Sequence, residues 1–115
     1  MCQCGYIDKL QGDVYSGRAT DRLFISGWAA STRAEFPVEE VRIIAGGKLC
    51  ASFKHFYPRP EVATIFNRSE FIETGYRGLV FLPILKPGMH ELTAIARDSS
   101  GMEQELHSLQ LHITE

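Results

Sequence analysis

The chain has 115 residues and a mass of 12.9 kDa, which suits one domain spanning 1–115 and leaves little room for a second. Apolar residues make up 44% of the chain and charged residues 23%, the proportions of a folded globular domain rather than a disordered one. The formal net charge of -2 argues against a dedicated nucleic-acid binder, which would carry a basic surface. We therefore expect no nucleic-acid partner.

The lack of a recognisable targeting signal in this sequence and its odd number of cysteines favour a protein with reduced thiols. The longest apolar run, residues 79–85, is of strand length, so we expect no membrane insertion. The first residues have neither a basic nor an apolar signal region, and three cysteines (Cys2, Cys4 and Cys50) do not form a disulfide set. These features predict a cytoplasmic location, unless a signal outside this sequence directs the chain to the cell envelope. Residues 1–4 are interpreted as native sequence or as a disordered or added tail.

The first half of the chain predicts short strands separated by turns. A first strand region covers residues 6–15 and breaks near Gly12 and Asp13, and a second covers residues 23–29. The alternation over residues 38–45 and 48–53 predicts two more strands. Gly46 and Gly47 lie between them and tolerate the positive φ of a tight turn, which predicts a hairpin. Leu49 is expected on the apolar face of its strand and Cys50 on the polar face.

The second half adds a crossover and three more strands. Pro58 and Pro60 exclude a central strand, and a helical turn is predicted over residues 61–66 with Pro60 at its first position. A strand over residues 76–84 is apolar on both sides at 79–82, so both of its faces are expected to be covered. Strands over residues 91–97 and 103–113 complete the chain. The pattern predicts an all-β, immunoglobulin-like antiparallel β-sandwich of about seven strands with a short helical or irregular crossover.

The side chains that carry chemistry do not form a recognisable catalytic or metal-binding set. Cys2 and Cys4 would supply only two ligands, and His107 and His112 fall on opposite faces of the last strand, so neither a metal nor a cofactor is expected. No nucleophile motif is present, so no catalytic residue is assigned. The remaining carboxylates are interpreted as solvated surface: Glu39, Glu40, Glu70, Glu73, Glu103 and Glu105.

The crossover over residues 55–76 is the most unusual segment and supplies the candidate ligand-binding residues. Tyr57, Arg59, Glu61 and Tyr76 combine aromatic rings with groups that hydrogen-bond sugars. In the alternative interpretation the segment closes one end of the sandwich, and Arg59 forms a structural ion pair with Glu61 or with Asp98.

The sole tryptophan leaves a similar choice open. Trp28 stands in the centre of a predicted strand. It is interpreted as a core residue, with a stacking platform for a ligand as the alternative.

Several short motifs together resemble bacterial immunoglobulin-like β-sandwich modules attached to glycosyltransferases, methyltransferases and envelope or surface proteins. The segments are Gly5-Tyr6-Ile7-Asp8, Gly27-Trp28-Ala29, Arg59-Pro60-Glu61-Val62-Ala63, Thr74-Gly75-Tyr76 and Gly88-Met89-His90-Glu91-Leu92. Glu61 departs from the aspartate that is usual in those modules. The resemblance implies a non-catalytic accessory domain of a larger bacterial glycan or envelope protein.

The functional hypotheses differ in the partner that they imply. The first is a non-catalytic accessory domain that binds a glycan or positions a neighbouring enzyme domain of the same chain. The second is a module for protein–protein interaction or oligomerisation through a sheet edge or the hairpin face. The third is a small enzyme, which would require an acid, a base and a nucleophile in one pocket.

Overall fold

The computed structural model describes residues 3–8, 14–18, 22–32 and 36–114 of the chain. Within these ranges the chain forms nine strands, one short α-helix and one turn of 3₁₀ helix. The elements are β1 (Gln3–Ile7), β2 (Val14–Arg18), β3 (Arg22–Ser31), β4 (Val38–Ala45), β5 (Lys48–Phe53), β6 (Tyr57–Pro58), α1 (Pro60–Phe66), the 3₁₀ turn (Ser69–Phe71), β7 (Glu73–Phe81), β8 (Gly88–Asp98) and β9 (Glu103–Thr114).

The strands form two sheets, which confirms the predicted all-β sandwich. One sheet has the order β1-β3-β7-β6 and the other the order β2-β9-β8-β4-β5. The first predicted strand region is divided between them, with β1 in one sheet and β2 in the other. The expectation of antiparallel pairing throughout is wrong at one place, because β2 runs parallel to β9. The predicted break at Gly12 and Asp13 lies outside the described residues.

The predicted Gly-Gly hairpin is confirmed. Gly46 and Gly47 have φ angles of 56° and 80°, in the left-handed region that glycine adopts without a steric penalty, and Ala45 pairs with Lys48 across the turn. The alternation predicted for β5 fails next to this turn. Ile43 pairs with Ala51 and Ile44 pairs with Leu49. Cys50, between these two partners, is therefore the extra residue of a β-bulge, and the alternation of side chains changes there.

The bulge corrects the assignments of Leu49 and Cys50. Leu49, predicted on the apolar face, is 60% exposed. Cys50, predicted on the polar face, is half-buried and packs against the main core. The extra residue at the bulge breaks the period of two on which the prediction rested.

The main core lies between the two sheets and is built from alternate residues of facing strands. Its largest fully buried side chain is Tyr76 of β7. The other large members are aliphatic, as expected for the inner faces of a sandwich. They include Ile7, Ile25, Val41, Ile43, Val80, Leu92, Leu111 and Ile113.

A second, smaller cluster covers one end of the outer face of the four-stranded sheet. Val62 of α1 and Phe71 of the 3₁₀ turn pack there against Ala30 of β3. The helix begins at Pro60, as predicted, and its C-cap Asn67 has a φ of 52°. The crossover therefore closes one end of this face with its own apolar side chains.

The opposite end of the same face is uncovered, which corrects the prediction for β7. Leu79 and Phe81 are 57% and 62% exposed, whereas Val80 between them is fully buried. Only the inner face of this strand packs against the core.

The structure describes the second half of the segment 1–4, for which a tail was one interpretation. Gln3 and Cys4 belong to β1, and Gln3 is 1% exposed, with its side-chain amide donating to Met102 O at 2.9 Å. Met1 and Cys2 lie outside the described residues. No helix within the described ranges has the length and apolar character required to cross a bilayer.

Candidate functional site

Arg59 lies at the centre of the crossover, directly before the first residue of α1. Its backbone N–H donates to Ile72 O at 2.6 Å, which ties the start of the crossover to its end. Its aliphatic stem lies flat on Gly75 of β7. A Cβ atom at Gly75 would stand 2.6 Å from Arg59 Cγ, so a glycine is required for this close approach.

The Arg59 guanidinium donates to three groups of the protein. Its Nε donates to Glu61 Oε1 at 3.0 Å, and its Nη1 donates to Asp8 Oδ2 and to Gly27 O, both at 3.2 Å. The side chain is 27% exposed. Burial lowers the pKa of the guanidinium, but the hydrogen bonds and charges of Asp8 and Glu61 outweigh that effect and raise it. Arg59 therefore joins the crossover to the end of β1 and the middle of β3.

Asp8 is the partner that the sequence did not predict. Its carboxylate also accepts a hydrogen bond from Ser26 Oγ at 2.7 Å, and its backbone N–H donates to Ser26 O at 2.9 Å. The Arg59–Glu61 ion pair that the alternative interpretation proposed is present. The sequence signal for Asp8 was its place in the Gly5-Tyr6-Ile7-Asp8 motif, which gave a position but no partner.

Asp98, the other partner proposed for Arg59, is engaged within its own loop. Its side chain is fully buried, and its Oδ1 accepts hydrogen bonds from Ser100 N, Ser100 Oγ and Met102 N. This carboxylate caps the turn between β8 and β9. The predicted Arg59–Asp98 pair is therefore wrong.

Tyr76 is placed where a ligand cannot reach it. The side chain is 1% exposed, and its hydroxyl donates to Tyr6 O at 3.0 Å. Desolvation by burial and the Asp8 charge raise the pKa of the phenol well above its ordinary value, although Arg59 opposes them. Tyr76 was proposed as a ligand contact, and its burial corrects that assignment.

The approach of Tyr76 to β1 also explains the glycine of the predicted strand motif. A Cβ atom at Gly27 would stand 2.5 Å from the Tyr76 hydroxyl oxygen and 2.6 Å from Cζ. Gly27 thus lets a tyrosine ring and a neighbouring strand meet at one point.

Tyr57 and Glu61 keep exposed surface. The Tyr57 ring is half-buried beneath Arg77, whose Cζ atom lies 4.1 Å from the ring centroid, and it meets the His55 ring edge-on at 5.0 Å. The Glu61 side chain is 57% exposed. The structure therefore pairs Arg59 with Glu61, buries Tyr76, and places Tyr57 in a separate contact with Arg77.

Trp28 packs against the crossover. The indole is half-buried and lies at a tilt to the Phe66 ring, with the centroids 5.4 Å apart. It belongs to the border of the small cluster around Val62 and Phe71. This arrangement agrees with the packing interpretation rather than with a free stacking platform.

A shallow, open groove of about 510 Å³ lies between α1 and the 3₁₀ turn. Two of its polar side chains have partners in the protein. Thr64 Oγ1 donates to Pro60 O at 3.0 Å, and Arg68 donates to Thr32 O at 3.2 Å while lying over the Phe71 ring. The lining residues are Pro60, Ala63, Thr64, Asn67, Arg68, Ser69 and Ile72.

A second charged cluster lies on the outer face of the five-stranded sheet and corrects the prediction for Glu40. This carboxylate, expected to be solvated, is 6% exposed. It accepts a short hydrogen bond from Ser52 Oγ and forms ion pairs with Arg42 at 3.2 Å and Arg97 at 3.4 Å. The Ser52 hydrogen bond lowers the pKa of Glu40, burial opposes this, and Arg42, Arg97 and the nearby Lys54 lower it further.

The cysteines and the metal-ligating residues complete the survey of reactive groups. Burial raises the pKa of the Cys4 and Cys50 thiols, with smaller opposing effects from Arg68 at Cys4 and from the Ala45 backbone at Cys50. Among the described residues, no group of three or more metal-ligating side chains could hold an ion.

Comparison with known proteins bears on the fold. No family model matches the chain, and no curated protein matches it. A solved structure of fibronectin(III)-like modules of CbhA from Clostridium thermocellum superposes with a TM-score of 0.61 over 98% of this chain, at 12% sequence identity. The fold is similar to that of fibronectin(III)-like modules. The chain spans 47% of the length of that solved chain.

This similarity agrees with the predicted immunoglobulin-like sandwich and extends over nearly all of the chain. At 12% identity it concerns the arrangement of the strands alone. The function must be argued from the surface of this molecule.

Proposed function

We propose that this chain is a non-catalytic accessory module of a larger bacterial protein of glycan or envelope metabolism, and that it acts by holding a neighbouring domain in position. The observation that carries the proposal is the use of the Arg59 guanidinium as an internal clamp. The residue with the strongest capacity to bind a sugar or an anion is already hydrogen-bonded to Asp8, Glu61 and Gly27 O.

The clamp has the properties that a positioning module needs. It connects β1, β3 and the crossover, which are distant in the sequence, and it lies at the end of the sheet that α1 covers. A rigid sandwich transmits the orientation of one neighbour to the next. The fold similarity to fibronectin(III)-like modules supports an accessory module in general, and the positioning role is argued from the clamp.

Carbohydrate binding is the second candidate, and one observation favours it. Tyr57, Arg77 and His55 form an aromatic and basic cluster, in which Arg77 and His55 are exposed. A sugar ring would stack beside Tyr57 and hydrogen-bond to Arg77. This site keeps one of the residues proposed from the sequence, Tyr57, and adds Arg77 and His55.

An NMR titration separates the two candidates. The ¹⁵N-labelled chain is titrated with fragments of bacterial envelope glycans, and the amides of Tyr57, Glu61 and Arg77 are followed. The positioning role predicts no saturable shift at these amides. Saturable shifts that disappear in Tyr57→Ala and remain in Ile84→Ala, a change at an exposed residue outside this cluster, would contradict it and establish the carbohydrate candidate.

A further inference from the structure

One edge of the four-stranded sheet is only partly covered. β6 pairs with β7 at Gly75 and Glu73. Beyond that point, residues 78–81 of β7 have β3 as their only strand partner in the described part of the chain. The side of β7 opposite β3 is therefore a free sheet edge at these residues.

The register shows which backbone groups face this edge. Asp8 N–H donates to Ser26 O, so Ser26 directs its backbone groups toward β1. Because successive residues of a strand alternate in direction, Gly27 directs its groups toward Tyr76 of β7. The same alternation along β7 turns the N–H and C=O groups of Leu79 and Phe81 away from β3, toward the free edge.

The side chains next to this edge form an apolar strip on the outer face of the sheet. The strip consists of Phe24, Leu79 and Phe81, which are 55%, 57% and 62% exposed. Phe24 and Leu79 are direct partners in the β3–β7 register. Leu79 and Phe81 thus contribute both the free backbone groups and two of the three exposed apolar side chains.

Two features with which sheet edges normally prevent further pairing, a bulge and an internal proline, are absent from residues 78–81 of the described strand β7. The β3–β7 register is continuous, and no proline occurs within β7. The edge strand of the other sheet differs, because β5 carries a bulge at Cys50 and begins with Lys48. The edges at β5 and β7 are therefore unequal, and of these two the edge of β7 is open to an added strand.

We propose that the free edge of β7 pairs with the same edge of a second copy of this chain. The two strands run antiparallel about a two-fold axis at Val80, so that Leu79 of each copy lies opposite Phe81 of the other. Each such pair exchanges two backbone hydrogen bonds, because both residues direct their groups outward. The two four-stranded sheets become one continuous sheet, and the two apolar strips join on one face.

A second copy is the occupant that the side chains favour. The strip carries no charge within it, and a second copy brings an equally apolar strip in the register that the backbone requires. The cations at its ends, Arg77 on β7 and Arg22 beside Phe81, belong to opposite ends of the strip. In the antiparallel arrangement the Arg77 residues of the two copies lie at opposite ends of the joined strands, so their charges are not brought together. The inference goes beyond the proposed function and does not depend on it.

Sedimentation equilibrium of the full chain tests the pairing. Because the contact involves few residues, we expect a weak dimer whose mass rises toward twice that of the chain between about 10 µM and 1 mM. Leu79→Lys places a charge at the centre of the interface and should weaken association by about tenfold or more. Leu79 is exposed, so the thermal unfolding midpoint of this variant should stay close to that of the wild type.

A matched control and a second measurement make the test specific. Ile65→Lys changes a residue of α1 that is 75% exposed, away from the edge, and should leave association unchanged. Hydrogen exchange should show the amides of Leu79 and Phe81 becoming protected as concentration rises, whereas Val80 is protected throughout. A monomer at all concentrations, or a dimer that Leu79→Lys leaves intact, overturns the pairing. Neither result affects the glycan titration that tests the proposed function.

Discussion

Two arginine–carboxylate clusters within the described ranges of the chain differ in what they connect. The Glu40 cluster lies on the outer face of the five-stranded sheet, where Glu40, Ser52 and Arg97 come from strands that are already paired with one another. The Arg59 cluster joins the crossover to the end of β1 and the middle of β3. Between the end of β5 and the start of β7, only the two residues of β6 belong to a sheet ladder. We therefore expect the ion pairs of the Glu40 cluster to add little to strands that are already paired, and those of the Arg59 cluster to hold the crossover on the sheet.

The comparison separates burial from structural importance. The Glu40 side chain is 8% exposed and that of Arg59 is 27% exposed, so burial alone would rank Glu40 first. The strands around Glu40 are held by backbone hydrogen bonds whether or not the carboxylate is charged. The crossover depends on side-chain contacts, because it has few backbone hydrogen bonds to a sheet. We therefore expect the largest effects of substitution at Arg59.

Arg59→Ala should give the largest loss of stability. It removes three hydrogen bonds, leaves the Asp8 carboxylate without its cation and uncovers Gly75 beneath the aliphatic stem. We expect a loss of about 2–3 kcal/mol in the free energy of unfolding, since hydrogen bonds to charged groups contribute most of it. Chemical denaturation measures the loss, and hydrogen exchange should show faster opening of residues 55–74. An effect smaller than that of Glu40→Gln would contradict the ranking of the two clusters.

A double-mutant cycle with Gly75→Ala tests the packing part of this effect. The added methyl group would meet Arg59 Cγ at 2.6 Å and Tyr57 O at 3.0 Å. Because Arg59→Ala removes the first of these contacts, the two substitutions together should cost less than the sum of the single costs. An additive result would mean that the stem of Arg59 does not rest on Gly75 in solution.

Glu40→Gln should have an intermediate effect that depends on pH. The pKa of Glu40 is held below its ordinary value of 4.5, so its ionised form stabilises the fold above that pH, and this stabilisation is lost as pH falls through the lowered value. At neutral pH the substitution should cost about 1 kcal/mol, because the Ser52 hydroxyl can still donate to the amide oxygen. Between about pH 6 and about pH 3, stability should fall less steeply in the variant than in the wild type. If the stability of the variant and of the wild type fell in parallel with pH, the loss of stability at low pH would not come from Glu40.

The sequence predicted those features that depend on local chemistry. Paired glycines with positive φ gave the hairpin at Gly46 and Gly47, and Pro60 marked the first residue of α1. Alternation gave the bounds of β4 and β5, but it could not place the bulge that turns Leu49 outward, because that depends on pairing with β4. The pattern at residues 79–82 indicated two covered faces, although nothing within the described part of the chain covers Leu79 and Phe81.

The sequence predicted several residues of the candidate site but few of the contacts between them. Arg59 and Glu61 are close in the sequence, and their contact follows from that. Asp8 lies 51 positions from Arg59, and its contact exists only because β1 ends beside Ser26 of β3. Tyr76 was proposed as a ligand contact because tyrosine is amphipathic. The pairing of Tyr76 with Gly27 places it on the inner face of β7, where its side chain is buried. Contacts between distant strands required the structure.

Glu61→Gln should have the smallest effect and completes the comparison within the Arg59 cluster. Glu61 is 57% exposed, so its ion pair with Arg59 is screened by water and contributes about 0.5 kcal/mol or less. Asp8→Asn is the matched change at the other partner, which is 36% exposed and also accepts from Ser26. It should cost more than Glu61→Gln, and thermal unfolding of the two variants measures the difference. A larger effect at Glu61 would place the strength of the clamp within the crossover itself, whereas a larger effect at Asp8 assigns it to the link between the crossover and the sheet.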